Sequence, residues 1–384
     1  MTRFLIYLFP AMMDMVLGTA FFVATLRLAE SGASAFAVSS IITTWAVVYM
    51  LVSQILGRLV NAKNSIRFII VSGLGTVLVA LGFILNSDLN FQYFLMGMQA
   101  VSTSFFFVSF QIFMKDFESG KAYGLPLSTG LYTFSWSAGM ASGPFISGYV
   151  WHAFGWQACY IINIALGLFV AGGILYLKRL SGRTDTQVSR PVKTENPYVN
   201  APDMAWLGWV GCGVCCFTVS LLKGGFPTTA TKLGLSQVEQ GNILAIVSYA
   251  QAITGLFLCR SRFWMYKALP VSFFAFSAIV GLILFAFAQN VTMFLIGALL
   301  TGIYSGGFFF YFVFHSLAHP NRSSFYVSIN ETVVGFTGIA GPVIGGKLVD
   351  MVSNSSAYIC CAILTLIALL IQVYVHIKKP FKRA

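Results

Sequence analysis

Charge is what this sequence has least of. Only 9% of its 384 residues are charged, where a soluble domain carries roughly 25%. So few charges cannot cover a surface facing water, and a soluble chain is excluded. Histidine is scarce as well. The cysteines are Cys159, Cys212, Cys215, Cys216, Cys259, Cys360 and Cys361. The group Cys212, Cys215 and Cys216 has no second pair or histidine set to complete a zinc site, so these read as small packing residues. No nucleotide-binding loop and no catalytic triad is visible. Gly73-Leu-Gly75 and similar glycine pairs fall within apolar stretches and are packing, not phosphate loops. An enzyme, a resident cofactor and a metal site all lack their residues.

What charge there is leans basic, with 23 Lys and Arg against 11 Asp and Glu, a net charge of +12. The basic residues stand between apolar runs and make no basic face. That argues against nucleic acid as a partner and for membrane topology.

Apolar sequence is abundant: 58% of residues are hydrophobic and the mean hydropathy is +0.82. Apolar runs lie at about 4–27, 36–57, 67–86, 91–113, 123–149, 157–177, 204–226, 238–259, 268–288, 291–313, 324–349 and 357–377. Each approaches the roughly 20 residues that a helix needs to cross about 30 Å of hydrocarbon. In lipid the backbone must close its own hydrogen bonds, so an all-α membrane protein of twelve transmembrane helices is predicted. Three residues precede the first run and no small-residue cleavage site follows it, so it is read as a retained helix.

Lysine and arginine set the orientation. With the amino terminus inside, the inner segments hold 19 of the 23 basic residues, leaving Arg27, Lys223, Lys232 and Lys347 toward the outside. This predicts both termini in the cytoplasm, and the plasma (inner) membrane as the location. Residues 178–202 are charged, contain proline and lack periodicity, which predicts a flexible cytoplasmic linker. It separates a six-helix half, 1–177, from a second, 203–384.

The halves repeat. GPFISGYVWHAFGWQACYI from Gly143 aligns without gaps to GPVIGGKLVDMVSNSSAYI from Gly341, an offset of 198. The same offset carries Gly57 onto Gly255, each at the end of an apolar run. Phenylalanine clusters recur at Phe105–Phe107 with Phe110 and at Phe308–Phe310. Two parallel repeats about an axis along the membrane normal suit a carrier that rocks around a central site.

With twelve helices, inside termini and a basic central loop, the whole chain resembles the major facilitator superfamily. The stretch Gly57-Arg58-Leu-Val-Asn61-Ala-Lys63, followed by Arg67, is similar to that family's glycine–acidic–basic loop, with Asn61 where the aspartate usually stands. Ser119-Gly-Lys121-Ala-Tyr-Gly124 also has the family's look. Gly139-Met-Ala-Ser-Gly143-Pro144-Phe-Ile-Ser-Gly148 is similar to the glycine–proline motif associated with exchangers. Gly341-Pro342-Val-Ile-Gly345-Gly346 repeats it, so the motif does not by itself mark antiport. Physically, such glycines let helix backbones approach closely, and Pro144 withdraws a backbone donor and bends its helix. A plain packing seam is the competing reading. Drug exporters of the family carry an arginine before a glutamine–glycine pair in the fourth helix. Here Met96 holds that place, before Gln99-Ala100, which argues against a drug/proton antiporter. The resemblance implies a monomeric secondary transporter for a small-molecule solute, working by alternating access in contact with membrane lipid.

Two acidic residues fall well inside apolar runs. Asp14 lies about 15 Å into the first helix at 1.5 Å per residue. A charge at a helix centre costs about 2.5–3.5 kcal/mol on insertion scales. Such a residue must face protein or water, and it is the leading candidate for proton coupling or substrate contact, with a structural hydrogen bond as the competing reading. Glu331, beside Asn330, is the second candidate, for a cavity or for locking its helix. Arg27 and Lys223, near the outer ends of equivalent helices, are candidates for contact with an anion or for snorkelling to headgroups. His315 and His319 are read as loop residues. Trp45, Gln54, Gln99, Gln111, Tyr132, Trp136, Tyr249, Gln251, Tyr304 and Tyr311 are cavity candidates; Asn242 joins them. The expectation is proton-coupled movement of a small organic solute, export by exchange placed ahead of uptake. The alternatives are an uptake symporter for a sugar or organic anion, and a non-transporting receptor or scaffold.

Overall fold

A computed structural model of the chain describes residues 2–61, 63–118, 125–181, 204–259, 263–264, 267–318 and 323–378. Every regular element among them is a helix, and there are twelve. The first six are α1 (Thr2–Glu30), α2 (Ala35–Leu59), α3 (Ser65–Leu85), α4 (Phe91–Glu118), α5 (Leu125–Phe154) and α6 (Trp156–Ser181). The second six are α7 (Ala205–Lys232), α8 (Gln237–Cys259), α9 (Ala268–Phe287), α10 (Val291–Ala318), α11 (Ser323–Met351) and α12 (Asn354–Lys378). All twelve predicted runs are therefore helices. Most extend past the hydropathy boundaries because a helix does not stop where its side chains become polar. α6 runs to Ser181, into the segment expected to be linker, and residues 182–203 lie outside the described ones.

Gly173 lies against Phe9, Gly211 against Gln372 and Gly130 against Cys259, so the start of α1 and the described end of α12 lie at one end of the bundle, the terminal end. The opposite, far end carries the turns after α1, α5 and α7. Two of these turns are copies of one another. Gly32 and Gly234 have φ of +79° and +72°. Beside each, the following N–H reaches back five residues, Ala33 N to Leu28 O at 3.1 Å and Leu235 N to Ala230 O at 3.0 Å. Glycine ends both helices because this left-handed conformation strains any residue with a Cβ.

Eleven of the helices are long and apolar enough to cross a membrane. α5 is the exception. Its Gly, Ser and Pro lower its hydropathy, and it runs beside α1 and α8. The peripheral helices show the opposite pattern. Leu78 on α3, Tyr176 on α6, Phe276 on α9 and Leu370 on α12 are all more than half exposed. An outside so apolar is a surface for lipid tails.

Candidate substrate and coupling site

Asp14 sits near the middle of α1 and is only 4% exposed. Its Oδ2 has no hydrogen-bond partner. The charge that acts on it comes from the other half of the chain: Lys223, on α7, which in turn feels Asp14 as its first charged neighbour. No hydrogen bond joins the two. A lone buried charge is expensive, and an opposite charge within electrostatic reach offsets part of that cost. Because the partners belong to different halves, any movement of the halves changes their attraction.

One turn outward from Asp14, about 6 Å along the axis, Gly18 borders a cavity of about 20 Å³, room for a water molecule. Two helices from each half build the wall: α1 and α5, α7 and α8. Phe21, Phe22, Met140 and Leu244 make it apolar. Thr25 and Ser248 contribute hydroxyls, and Lys223 contributes its one charged side chain. Pro144 of the glycine–proline motif borders it too.

The motif glycines divide into two roles, and the repeat preserves the division. A Cβ on Gly143 would lie 2.5 Å from Thr19 N of α1, and one on Gly139 would strike Ala11 O of the same helix. In the second half, a Cβ on Gly341 would lie 2.6 Å from Phe217 O of α7, and Gly345 meets Leu221. These glycines seat a helix within its own half. Gly148 and Gly346 instead join the halves. A Cβ on Gly148 would lie 2.8 Å from Gln237 O of α8, and one on Gly346 would lie 2.7 Å from Phe36 Cα of α2. Pro342 stands beside Gly224, and Pro144 O abuts Gly241.

The remaining candidates scatter. Arg27 does not join the cavity: its guanidinium carbon lies 3.6 Å from the Trp156 ring centre, and Nη2 donates to Ser87 O at 2.8 Å. Asn330 accepts from Trp209 Nε1 at 2.8 Å, tying α11 to α7. Glu331 is in α11, but its side chain lies outside the described residues, as does His319. Trp45 donates to Thr103 Oγ1 at 3.2 Å and stacks on Tyr49 with centroids 4.6 Å apart. Gln99 is buried with Nε2 unpartnered, while Gln54 and Gln111 are exposed, Gln111 reaching Tyr132 OH at 3.5 Å. Tyr304 and Tyr311 are buried, Tyr304 against Phe308 and Tyr311 against His315 and Trp264. Three candidates bridge the halves. Trp136 meets Phe309 edge-on at 5.5 Å, Tyr249 OH meets Ser142 Oγ at 3.0 Å, and Gln251 donates to Ser137 Oγ at 2.8 Å. Asn242 also bridges, donating to Tyr149 OH at 3.4 Å.

The loop after α2 is inward-looking. Asn61 Oδ1 accepts from Lys63 N at 3.0 Å, and Asn64 Oδ1 accepts from Asn61 N at 2.7 Å. Gly57, Arg58, Lys63 and Arg67 are exposed. A charged link between halves lies at the far end instead. Asp350, near the end of α11, accepts from Ala35 N at 2.8 Å and Phe36 N at 2.9 Å, the first turn of α2. Carboxylates are favoured at a helix N-terminus. Sequence reading missed Asp350, Trp209 and the whole apolar wall. Asp350 had a signal, since it stands near the start of a membrane-end loop opposite a helix start.

A two-fold repeated helical bundle, apolar outside and charged between its halves, defines a membrane carrier. The family comparison makes that specific: the Major Facilitator Superfamily pattern matches residues 4–222 and again 208–384. The chain belongs to the Major Facilitator Superfamily. It is a multi-pass membrane protein and a secondary transporter of small solutes. No curated protein sequence matches it.

Proposed function

We propose that the chain moves a small organic solute by alternating access, coupled to protons through Asp14. The observation that carries this is a mid-helix carboxylate with an unpartnered oxygen, whose charge neighbour belongs to the other half. A proton on Asp14 removes the attraction to Lys223 and so changes the balance between arrangements of the halves. A ligand or proton shifts such an equilibrium only through different affinity for its two states. The excess of Lys and Arg in the loops there supports the cytoplasm as the side of the terminal end. At the far end Asp350 caps α2 and Gln237 donates to Glu30 Oε1 at 2.9 Å. Both contacts hold the outer side shut, so the cytoplasmic side is the one left to open to cargo. The working unit is proposed to be a monomer in the plasma (inner) membrane.

The test uses purified protein in lipid vesicles under an imposed pH gradient, offered a panel of labelled sugars, organic acids and organic amines. Wild type concentrates at least one of them. Asp14→Asn, nearly isosteric with the protonated residue, loses that accumulation and keeps exchange at equal pH. Accumulation by Asp14→Asn equal to wild type removes Asp14 from coupling and sinks the proposal.

A further inference from the structure

The cavity beside Lys223 has a chemistry that the coupling argument does not use. Its wall is apolar on α1, α5 and α8, from Phe21, Phe22, Met140 and Leu244. The one charged side chain on it is a cation, and Ser248 adds a hydroxyl close by in the wall. Asp14 is not on the wall; it lies a helical turn below, where its charge reaches Lys223 without a hydrogen bond. The ammonium thus has a countercharge that it does not touch and no hydrogen-bond acceptor among the described residues. An ammonium donates three hydrogen bonds, and half-buried Lys223 stands on the cavity wall, so those donors are open to a molecule that enters it.

We infer that the cargo is a small organic monoanion, an apolar body bearing a carboxylate, whose charged end binds Lys223 and whose body fills the apolar wall. This rests on the coupling site proposed above and deepens it. Asp14 and the cargo then compete for one cation: protonating Asp14 frees Lys223 for the anion, and the ionised aspartate helps expel it. A cationic cargo is disfavoured at the same wall, because nothing there balances its charge. The small volume belongs to the closed arrangement. Since both halves build the wall, parting them enlarges it.

Two matched probe sets decide the matter: benzoate, benzamide and benzylammonium, then hexanoate, hexanamide and hexylammonium. Binding to the purified full chain is read as the ligand-dependent rise in its unfolding temperature. In wild type each carboxylate should bind about tenfold or more tightly than its amide, the size expected for a hydrogen bond to a charged group. The ammonium forms should be weaker still. Lys223→Gln should erase the preference, Lys223→Arg should retain it, and Asp14→Asn should bind the carboxylates at least as tightly as wild type. Equal binding of amide and carboxylate, preference for the ammonium, or no carboxylate binding overturns the inference in wild type alone, whatever the variants do. So does a preference that survives Lys223→Gln. Carboxylate selectivity with an Asp14→Asn protein that still accumulates solute overturns only the proton-coupling proposal. Coupling through Asp14 without carboxylate selectivity overturns only the assignment of cargo.

Discussion

The halves meet along two seams that the internal repeat makes equivalent, α5 against α8 and α2 against α11, and the two are closed differently. α5 and α8 are joined along their length. Gly148 abuts Gln237 at the far end, and Tyr149 with Asn242, Ser142 with Tyr249, and Ser137 with Gln251 follow downward. At the terminal end a Cβ on Gly130 would lie 2.6 Å from Cys259 Cβ. α2 and α11 are tight only at the far end, at Asp350 and Gly346. Below that the contacts loosen: a Cβ on Gly338 or Gly335 would find its nearest neighbour, Ala46 or Met50, at 3.5 or 3.4 Å. Leu51, Ile55 and Leu59 on the terminal half of α2 are more than half exposed. Equivalent sequence has thus produced one continuous seam and one that reads as a gate.

The comparison fails or sharpens at four places, taken from the largest effect to the smallest. Gly241→Ala on the tight seam places a methyl group against Pro144 O, a backbone atom that cannot swing aside. Overpacking of this kind costs about 1–3 kcal/mol or more. Transport in vesicles should fall about tenfold or further, and wild-type rates would show that the seam is not closed there. Next is Asp350→Asn, which weakens the charge on the α2 N-terminus by about 0.3–2 kcal/mol. Ser39→Cys, buried beside Gly346, should then react several-fold faster with an impermeant thiol reagent added outside. An unchanged rate would mean that Asp350 does not hold the far end shut.

Third, Tyr249→Phe removes one hydrogen bond of the tight seam, worth about 1 kcal/mol. Its unfolding temperature should drop slightly while solute selectivity stays the same. A change in selectivity would move Tyr249 from the seam to the binding site. Smallest is Gly335→Ala on the looser seam, where the new methyl meets only the flexible Met50 side chain. Transport should remain within about twofold of wild type, as for a substitution that clashes with nothing rigid. A loss as large as that of Gly241→Ala would erase the distinction between the seams.

Much of this architecture was legible in the sequence. The twelve runs announced themselves because lipid demands long apolar helices with their hydrogen bonds closed internally. The ends were less legible. α7 continues past Phe226 through Pro227 to Lys232, although proline looks like a stop, because neighbouring helices satisfy the backbone that it frees. The repeat placed Gly143 with Gly341 and Gly148 with Gly346 correctly in register. It could not say that one pair works within a half and the other between halves, since that depends on which helix lies opposite. Asp14 and Lys223 each stood out as charges among apolar neighbours. Their proximity did not, because nothing local links two residues so far apart in the chain. The cavity wall was invisible for a simpler reason: Phe21, Met140 and Leu244 look the same whether they face cargo, lipid or another helix.

The unusual composition of α5 bears on how the protein is made. A segment this rich in serine, glycine and proline gains little by entering lipid alone. Its place is a groove prepared by α1, where Gly139 and Gly143 lie directly on the backbone of Ala11 and Thr19. α1 precedes α5 in the chain, so during synthesis the groove at Ala11 and Thr19 has no partner until α5 is made. The late arrival of α5 closes that groove, and each helix makes the other acceptable to the bilayer. Damage at Gly139 would therefore reach the cell as a shortage of finished protein, cleared before it ever carried anything.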